Sequence, residues 1–142
     1  MMKTTEILFL QLMVMEGCSL EAYKDAAGVP TIGYGHTKGV RMGDHISEYW
    51  AIELLKKDIL EVEQQVKALH VAQTEGQLDA LVSFAFNLGI ARLRESTLLK
   101  LIRHGGRKSA IRQEFKRWVY VRGQKMRGLE KRREWEAKRF FE

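Results

Sequence analysis

Residues 16–37 read EGCSLEAYKDAAGVPTIGYGHT. This stretch breaks the helical pattern on either side of it. Asp25-Ala26-Ala27-Gly28 has turn chemistry, since Asp bonds locally to backbone and Gly accepts a left-handed conformation. Val29 to Tyr34 reads as a short strand, and Gly33, Gly35 and Gly39 break up its end and the residues beyond it. Pro30 is the only proline in the chain. It lacks a backbone N–H, so its strand belongs at an edge or an end. A small hairpin or a three-stranded sheet is expected across residues 22–40.

Helical periodicity flanks this block. Upstream, Thr4 or Thr5 is placed to cap a helix running to about Glu16, with Gly17 as its left-handed stop. The residues of that helix are apolar on nearly every face, which predicts a well-buried helix. Downstream, Trp50, Ala51, Leu54, Leu55, Ile59, Val62, Val66 and Leu69 recur at three- and four-residue steps from Ser47 on. A helix of more than 20 residues would be long enough to bridge two lobes. Thr74-Glu75-Gly76-Gln77 matches a capping box ahead of an apolar helix over Leu78–Leu88. Ser96 or Thr97 caps the next helix, and Ser109 caps one carrying Phe115 and Trp118. A last helix from Leu129 carries Trp135, Phe140 and Phe141. The expected fold is α+β and mainly helical, in a single domain over 1–142. Its parts are a small sheet lobe (17–46), a connecting helix (47–73) and a helical lobe (1–16 with 74–142). Trp50, Trp118 and Trp135 are expected in the core, and Cys18 as a small buried residue.

Bulk properties narrow the classes. The chain has 142 residues, 45% hydrophobic and 30% charged, so it has the composition of a folded domain and not of a disordered one. With one cysteine it needs no disulfide. The His residues show no zinc-ligand spacing. Its net charge of +6 is uneven: residues 1–102 carry a net −3 and residues 103–142 a net +9. A basic C-terminal quarter is either a set of solvated helix faces or a surface for a polyanion. Ile7–Met15 is too short to span a membrane. Polar Thr4-Thr5-Glu6 before it and Glu16 after it argue against an export signal.

Glu16 closes an apolar helix. The negative end of the helix dipole and the apolar surroundings disfavour a charged carboxylate there, which suits a group that must carry a proton to its substrate. A solvent-facing residue at a frayed end is the alternative. Asp25 in a turn and Thr31 in a strand are each ordinary alone. Two carboxylates flanking a cleft are, however, what glycoside hydrolysis requires.

The block Glu16-Gly17-Cys18, Ala22-Tyr23-x-Asp25, Gly28-x-Pro30-Thr31-Ile32-Gly33-Tyr34-Gly35-His36-Thr37 resembles the signature of the phage-type lysozymes, the endolysins of glycoside hydrolase family 24. Further blocks resemble that family in order: Asp79 to Gly89, Ser96-Thr97-Leu98-Leu99, Phe115-x-x-Trp118, and Gly128-Leu129-x-x-Arg132-Arg133. The resemblance implies a lysozyme-like two-lobed fold. It also implies hydrolysis of the bond between N-acetylmuramic acid and N-acetylglucosamine in peptidoglycan. Glu16 would be the acid. Asp25 and Thr31 would hold a water on the opposite sugar face, giving inversion, with the Thr31 hydroxyl accepting from water while donating to a carboxylate. No metal or organic cofactor is implied.

His36 and Asp58 match a family pair expected to tie the sheet to the long helix, and resistance to acid should depend partly on them. Asn87 is either a cleft amide for an N-acetyl group or a helix-end residue beside Gly89. Tyr34, Arg132 and Arg133 are weaker cleft candidates that packing or a basic face would also explain. The expected partner is the glycan strand, met by a monomer, with contact between the basic C-terminal region and an anionic envelope. The membrane-like segment of some family members is not seen, so accumulation in the host cytoplasm before release to the wall is expected. Three rivals remain: a wall-binding protein without turnover, a nucleic-acid binder, and a membrane-disrupting Arg132–Phe141 helix. No recognised nucleic-acid module is found.

Overall fold

The computed structural model describes residues 2–142. The chain divides into two compact units, Phe9–Glu61 and the N-terminal residues through Leu8 with Val62–Glu142. Two helices run across the division, α1 (Glu6–Glu16) and α2 (Glu48–Lys67).

In the Phe9–Glu61 unit, β1 (Ser19–Lys24) and β2 (Pro30–Gly33) form an antiparallel hairpin with Tyr23 opposite Thr31 and Lys24 opposite Pro30. A bulge between Ser19 and Tyr23 shifts the register. The Phe9–Glu61 unit has no third regular strand. Residues 44–46 instead run along the outer edge of β1, with Ala22 N–H donating to Asp44 O (3.0 Å) and Ile46 N–H to Leu20 O (2.9 Å). Pro30 opens β2, where the ladder does not need its N–H. Ser47 Oγ accepts from Trp50 N–H (3.2 Å) and so caps α2. The buried ridge of α2 is Ala51, Leu55, Ile59 and Val66. Trp50 lies off this ridge, 58% exposed and edge-on to Tyr49, so the core expected of it is not found. Helix α2 stops at Lys67, short of residue 73, because His70 turns left-handed (φ 55°).

Helix α1 is less buried than its composition suggested. Leu8 and Leu12 are fully buried, whereas Ile7, Leu10 and Val14 are exposed. One helical face suffices for its packing, and apolar content alone does not say how many faces are covered. Its N-terminus is capped differently from the expectation. The carboxylates of Glu63 and Asp79 come to Thr4 and Thr5: Thr4 N–H donates to Glu63 Oε1 (2.6 Å) and Thr5 N–H to Asp79 Oδ1 (2.9 Å). Acceptors at a helix N-terminus satisfy orphan donors and oppose the positive end of the dipole.

The second unit is built on α3 (Glu75–Leu88), buried from Leu78 to Ala85. Thr74 Oγ1 accepts from Gln77 N–H (3.1 Å), and Gln77 Oε1 accepts from Gln73 N–H (2.9 Å). This is a capping box whose return bond reaches one residue further back. Gly89 ends α3 at φ 91°. Next come α4 (Ile90–Glu95), which sequence reasoning missed, α5 (Thr97–Arg103), capped by Ser96 Oγ, and α6 (Lys108–Lys116). Ser109 does not cap α6, since it already lies within the first turn and Arg107 stands at the cap. A hairpin of β3 (Tyr120–Val121) and β4 (Gln124–Lys125) turns on Arg122 and Gly123, both left-handed, and leads into α7 (Arg127–Phe140). Phe84, Phe115, Trp118 and Phe140 meet edge-on or tilted at ring separations of 5.6–6.0 Å and form the aromatic core. Trp118 and Trp135 are only half-buried.

Charge is buried here as well. Asp79, with no exposed surface, receives Arg139 Nε (3.1 Å) and Nη2 (2.9 Å). Removing one member of such a pair strands the other without its counter-charge. Asp79→Ala should therefore cost about 3–5 kcal/mol in urea unfolding. A loss below about 1 kcal/mol would show that the pair behaves like an exposed one.

Candidate active site

The residues singled out near the N-terminus all lie in the Phe9–Glu61 unit. Glu16 is the last residue of α1, and Gly17 (φ 67°) turns the chain out of the helix. Downstream, β2 ends in a tight loop closed by two bonds, Ile32 N–H to His36 O (2.8 Å) and His36 N–H to Ile32 O (2.9 Å). Gly35 sits in this loop at φ 79°, a conformation that costs other residues about 1–2 kcal/mol. Its second reason for being glycine is space. A Cβ there would stand 2.5 Å from Glu16 Oε1 and 3.2 Å from Glu16 Cδ. The Glu16 carboxylate thus lies on the bare backbone of Gly35. The sequence marks Gly35 as a loop residue, but nothing local reveals what it makes room for.

Asp25 and Thr31 are both held by the backbone of one residue, Val29. Val29 O accepts from Asp25 N–H (3.0 Å) and from Thr31 Oγ1 (2.8 Å), while Val29 N–H donates to Asp25 Oδ1 (2.9 Å). Ala27 N–H donates to the same Oδ1 (2.9 Å). Asp25 Oδ2 remains to accept from water. Thr31 is 3% exposed, and its hydroxyl proton goes to the Val29 carbonyl. That differs from the expected donation to a carboxylate, but the oxygen's lone pairs still suit an acceptor. Sequence reasoning missed Val29, because its part is played by backbone.

Tyr23 faces Thr31 across the hairpin. Burial pushes its phenol above the ordinary value, and the negative charges of Glu16 and Asp25 add to the effect. The phenol therefore feels both carboxylates. Tyr34 is half-buried, with its phenol raised first by burial and then by its neighbour Cys18. Cys18 itself is exposed, contrary to expectation. Gly17 has already turned the chain outward before it.

His36 Nδ1 is 2.7 Å from Asp58 Oδ2, and His36 Nε2 is 2.9 Å from Lys38 O. Both ring nitrogens face acceptors, and only a doubly protonated ring donates to both.

Asn87 and Arg132 belong to the other unit. Arg133 Nη2 donates to Asn87 Oδ1 (2.9 Å), so the Asn87 oxygen faces inward and its amino group faces away, on an exposed residue. Arg132 is 5% exposed, with Nη2 donating to Ser83 O (3.0 Å). Arg133 and Glu136 are fully buried and 2.9 Å apart, and Ser83 Oγ donates to Glu136 (2.6 Å). Burial pulls the Arg133 guanidinium down to about 10, against the opposing charge of Glu136. It pushes the Glu136 carboxyl up, against the charges of both arginines. This cluster joins α3 to α7.

A family model described as phage lysozyme matches residues 13–136. The chain is 40% identical over 122 residues to the SAR-endolysin of Bacteriophage PS119, covering 84% of this chain and 72% of that protein. It is 39% identical over 130 residues to the endolysin of Acyrthosiphon pisum secondary endosymbiont phage 1, covering 88% of each. The solved endolysin from Escherichia coli O157:H7 phage FAHEc1 superposes with a TM-score of 0.85 at 34% identity, covering 99% of this chain and 94% of that one.

The Asp58 environment predicts a pH dependence of stability. Burial lifts its carboxyl above the ordinary range by more than His36 pulls it down. The folded form therefore holds the proton more tightly than the unfolded chain. The stabilisation linked to this group is complete below the unfolded pKa and is lost as pH rises through the folded one. The stability advantage of the wild type over Asp58→Asn should thus be largest below pH ~4 and shrink as pH rises above it. Urea unfolding at stepped pH checks this, and an advantage that instead grows with pH would mean the attraction to His36 dominates.

Proposed function

The chain belongs to the phage lysozyme family, and on that premise we propose that Glu16 is the acid and that Asp25 with Thr31 handles the water of a glycosidic hydrolysis. The activity class is that of a peptidoglycan-hydrolysing endolysin, a glycoside hydrolase. The bond cut is the β-1,4 link between N-acetylmuramic acid and N-acetylglucosamine.

The observation that carries the assignment is the backbone of Val29, whose N–H bonds to the Asp25 carboxylate and whose C=O accepts from Asp25 N–H and the Thr31 hydroxyl. Backbone N–H bonds to Asp25 Oδ1 leave Oδ2 as the base. Glu16 delivers its proton to the departing sugar oxygen as the C–O bond breaks. A water held by Thr31 Oγ1 and Asp25 Oδ2 attacks the anomeric carbon from the opposite face, and its proton passes to Asp25. Attack opposite to departure inverts the centre and needs roughly 6.5–9.5 Å between the carboxyl groups, room for that water. Gly35 supports the acid by leaving its carboxylate a fixed seat. The outward amino group of Asn87 suits the carbonyl of an N-acetyl group. Tyr34 is proposed as a further contact, and Arg132 as a residue that acts through the packing of α3 on α7.

The enzyme is proposed to act as a monomer, accumulating in the host cytoplasm and released to the wall. Fractionation before lysis tests this, and enzyme recovered with membranes would overturn it. Among the described residues no helix is long and apolar enough to cross a membrane.

Release of reducing sugar from purified peptidoglycan tests the chemistry. Glu16→Gln should lower turnover about 10²–10⁴-fold with folding intact. Gly35→Ala should lower it as well by displacing Glu16, and should cost about 1–2 kcal/mol of stability from the left-handed backbone. Full activity in Glu16→Gln would refute the assignment, and a retained anomeric configuration would refute inversion.

A further inference from the structure

The charge of residues 103–142 is on the surface. Eleven of its fourteen Lys and Arg are exposed, against two of its five Glu. On α6 the basic residues form a row: Lys108, Arg112 and Lys116 recur at four-residue steps and so share one face. Arg112 and Lys116 line a cleft of about 430 Å³ with Lys138 and Phe141, and Glu134 and Glu142 bound its α7 side. Lys108 and Arg112 lie 5.7 and 4.8 Å from the centre of the Phe141 ring, covering it.

Stability accounts for only part of this row: the Phe141 ring attracts Lys108 and Arg112 but not Lys116. Like charges four residues apart repel along a helix. Lys108 stands at the positive end of the α6 dipole, which has no acid in its first turn. Among the described residues, Lys108, Arg112, Lys116 and Lys138 make no hydrogen bond or ion pair. A row of unpaired cations kept against these costs fits a ligand that supplies the negative charge.

The row also says what kind. Four residues of helix rise about 6 Å, close to the separation of successive phosphates along an extended phosphodiester chain. A bilayer is a poor match, because α6 and α7 expose no large apolar side chain for insertion. The apolar side of the Arg132–Phe141 segment is turned into the core, with Ala137 and Phe140 buried. A single-stranded nucleic acid is also a poor match, because its bases need open aromatic rings to stack on, and Phe141 is covered by cations. We infer that the α6 row and its cleft bind a linear polyol-phosphate polymer of the cell wall, holding the enzyme near its glycan substrate. The inference rests on the proposed function only for where that polymer is met.

Binding of an end-labelled poly(glycerol phosphate) chain, monitored by anisotropy across a salt series, tests it. The wild type should bind with a log–log salt slope of about −2 to −3, from three to four phosphate contacts. The triple variant Lys108→Gln, Arg112→Gln, Lys116→Gln should bind at least about tenfold more weakly, with a slope nearer zero by about 2. Its thermal melt should fall by no more than the double variant Lys108→Gln, Arg112→Gln, which loses the Phe141 contacts alone, and its hydrolysis of polymer-free glycan strands should match the wild type. No binding by the wild type, or undiminished binding by the triple variant, would overturn the inference. So would oligothymidylate of equal phosphate number bound as tightly as the wall polymer. Because binding is read without turnover, failure here leaves the hydrolytic assignment standing, and loss of hydrolysis leaves this one standing.

Discussion

The constraint that most shapes the Phe9–Glu61 unit is the two-bond loop between Ile32 and His36, which sets Gly35 beside the Glu16 carboxylate and carries His36 to Asp58. A carboxylate at the end of an apolar helix has no natural seat. Here the seat is a two-bond loop between Ile32 and His36, which turns Gly35 toward the end of α1. The same loop carries His36 to Asp58. One short closure therefore stands beside the proposed acid and ties the hairpin to α2. Glycine at residue 35 meets two demands at once, a left-handed backbone and the absence of a side chain.

The pair proposed to handle water shows a similar economy. Asp25 and Thr31 are six residues apart, and Val29 between them bonds to both. Neither side chain has to find the other through a long flexible reach, so little rotamer entropy is lost when they act together. In the second unit rigidity comes from buried charge. Asp79 with Arg139, and Glu136 with Arg133, are held where water does not screen them. Such pairs add little net stability over apolar packing, but they tolerate the loss of a partner poorly, so they restrict which arrangement of α3 and α7 is allowed.

Much of this was legible in the chain. The Glu16–Thr37 block, by its turn residues and its likeness to a family signature, pointed to the hairpin and to three residues for the chemistry. Local signals also located caps at Thr74 and Ser96, whose side chains bond where expected. Errors arose where a local signal had to stand for a global one. The apolar content of α1 overstated its burial, Trp50 proved exposed, and Cys18 proved exposed. The caps at Thr4 or Thr5 and at Ser109 were displaced, the first because carboxylates 59 and 74 residues away reach the helix end instead.

The sequence by itself determined the turn that begins at Asp25, the helix caps at Thr74 and Ser96, and the charge gathered in the last quarter. These come from backbone sterics, hydrogen-bonding side chains and composition, all of which act within a few residues. Only the tertiary structure decided which helix faces are covered, that Val29 O joins Asp25 to Thr31, that Glu16 rests on Gly35, and that three cations of α6 form an unpaired row. Each depends on backbone atoms or on side chains far apart in the chain. Their meeting is set by packing, which residue type and spacing alone do not encode.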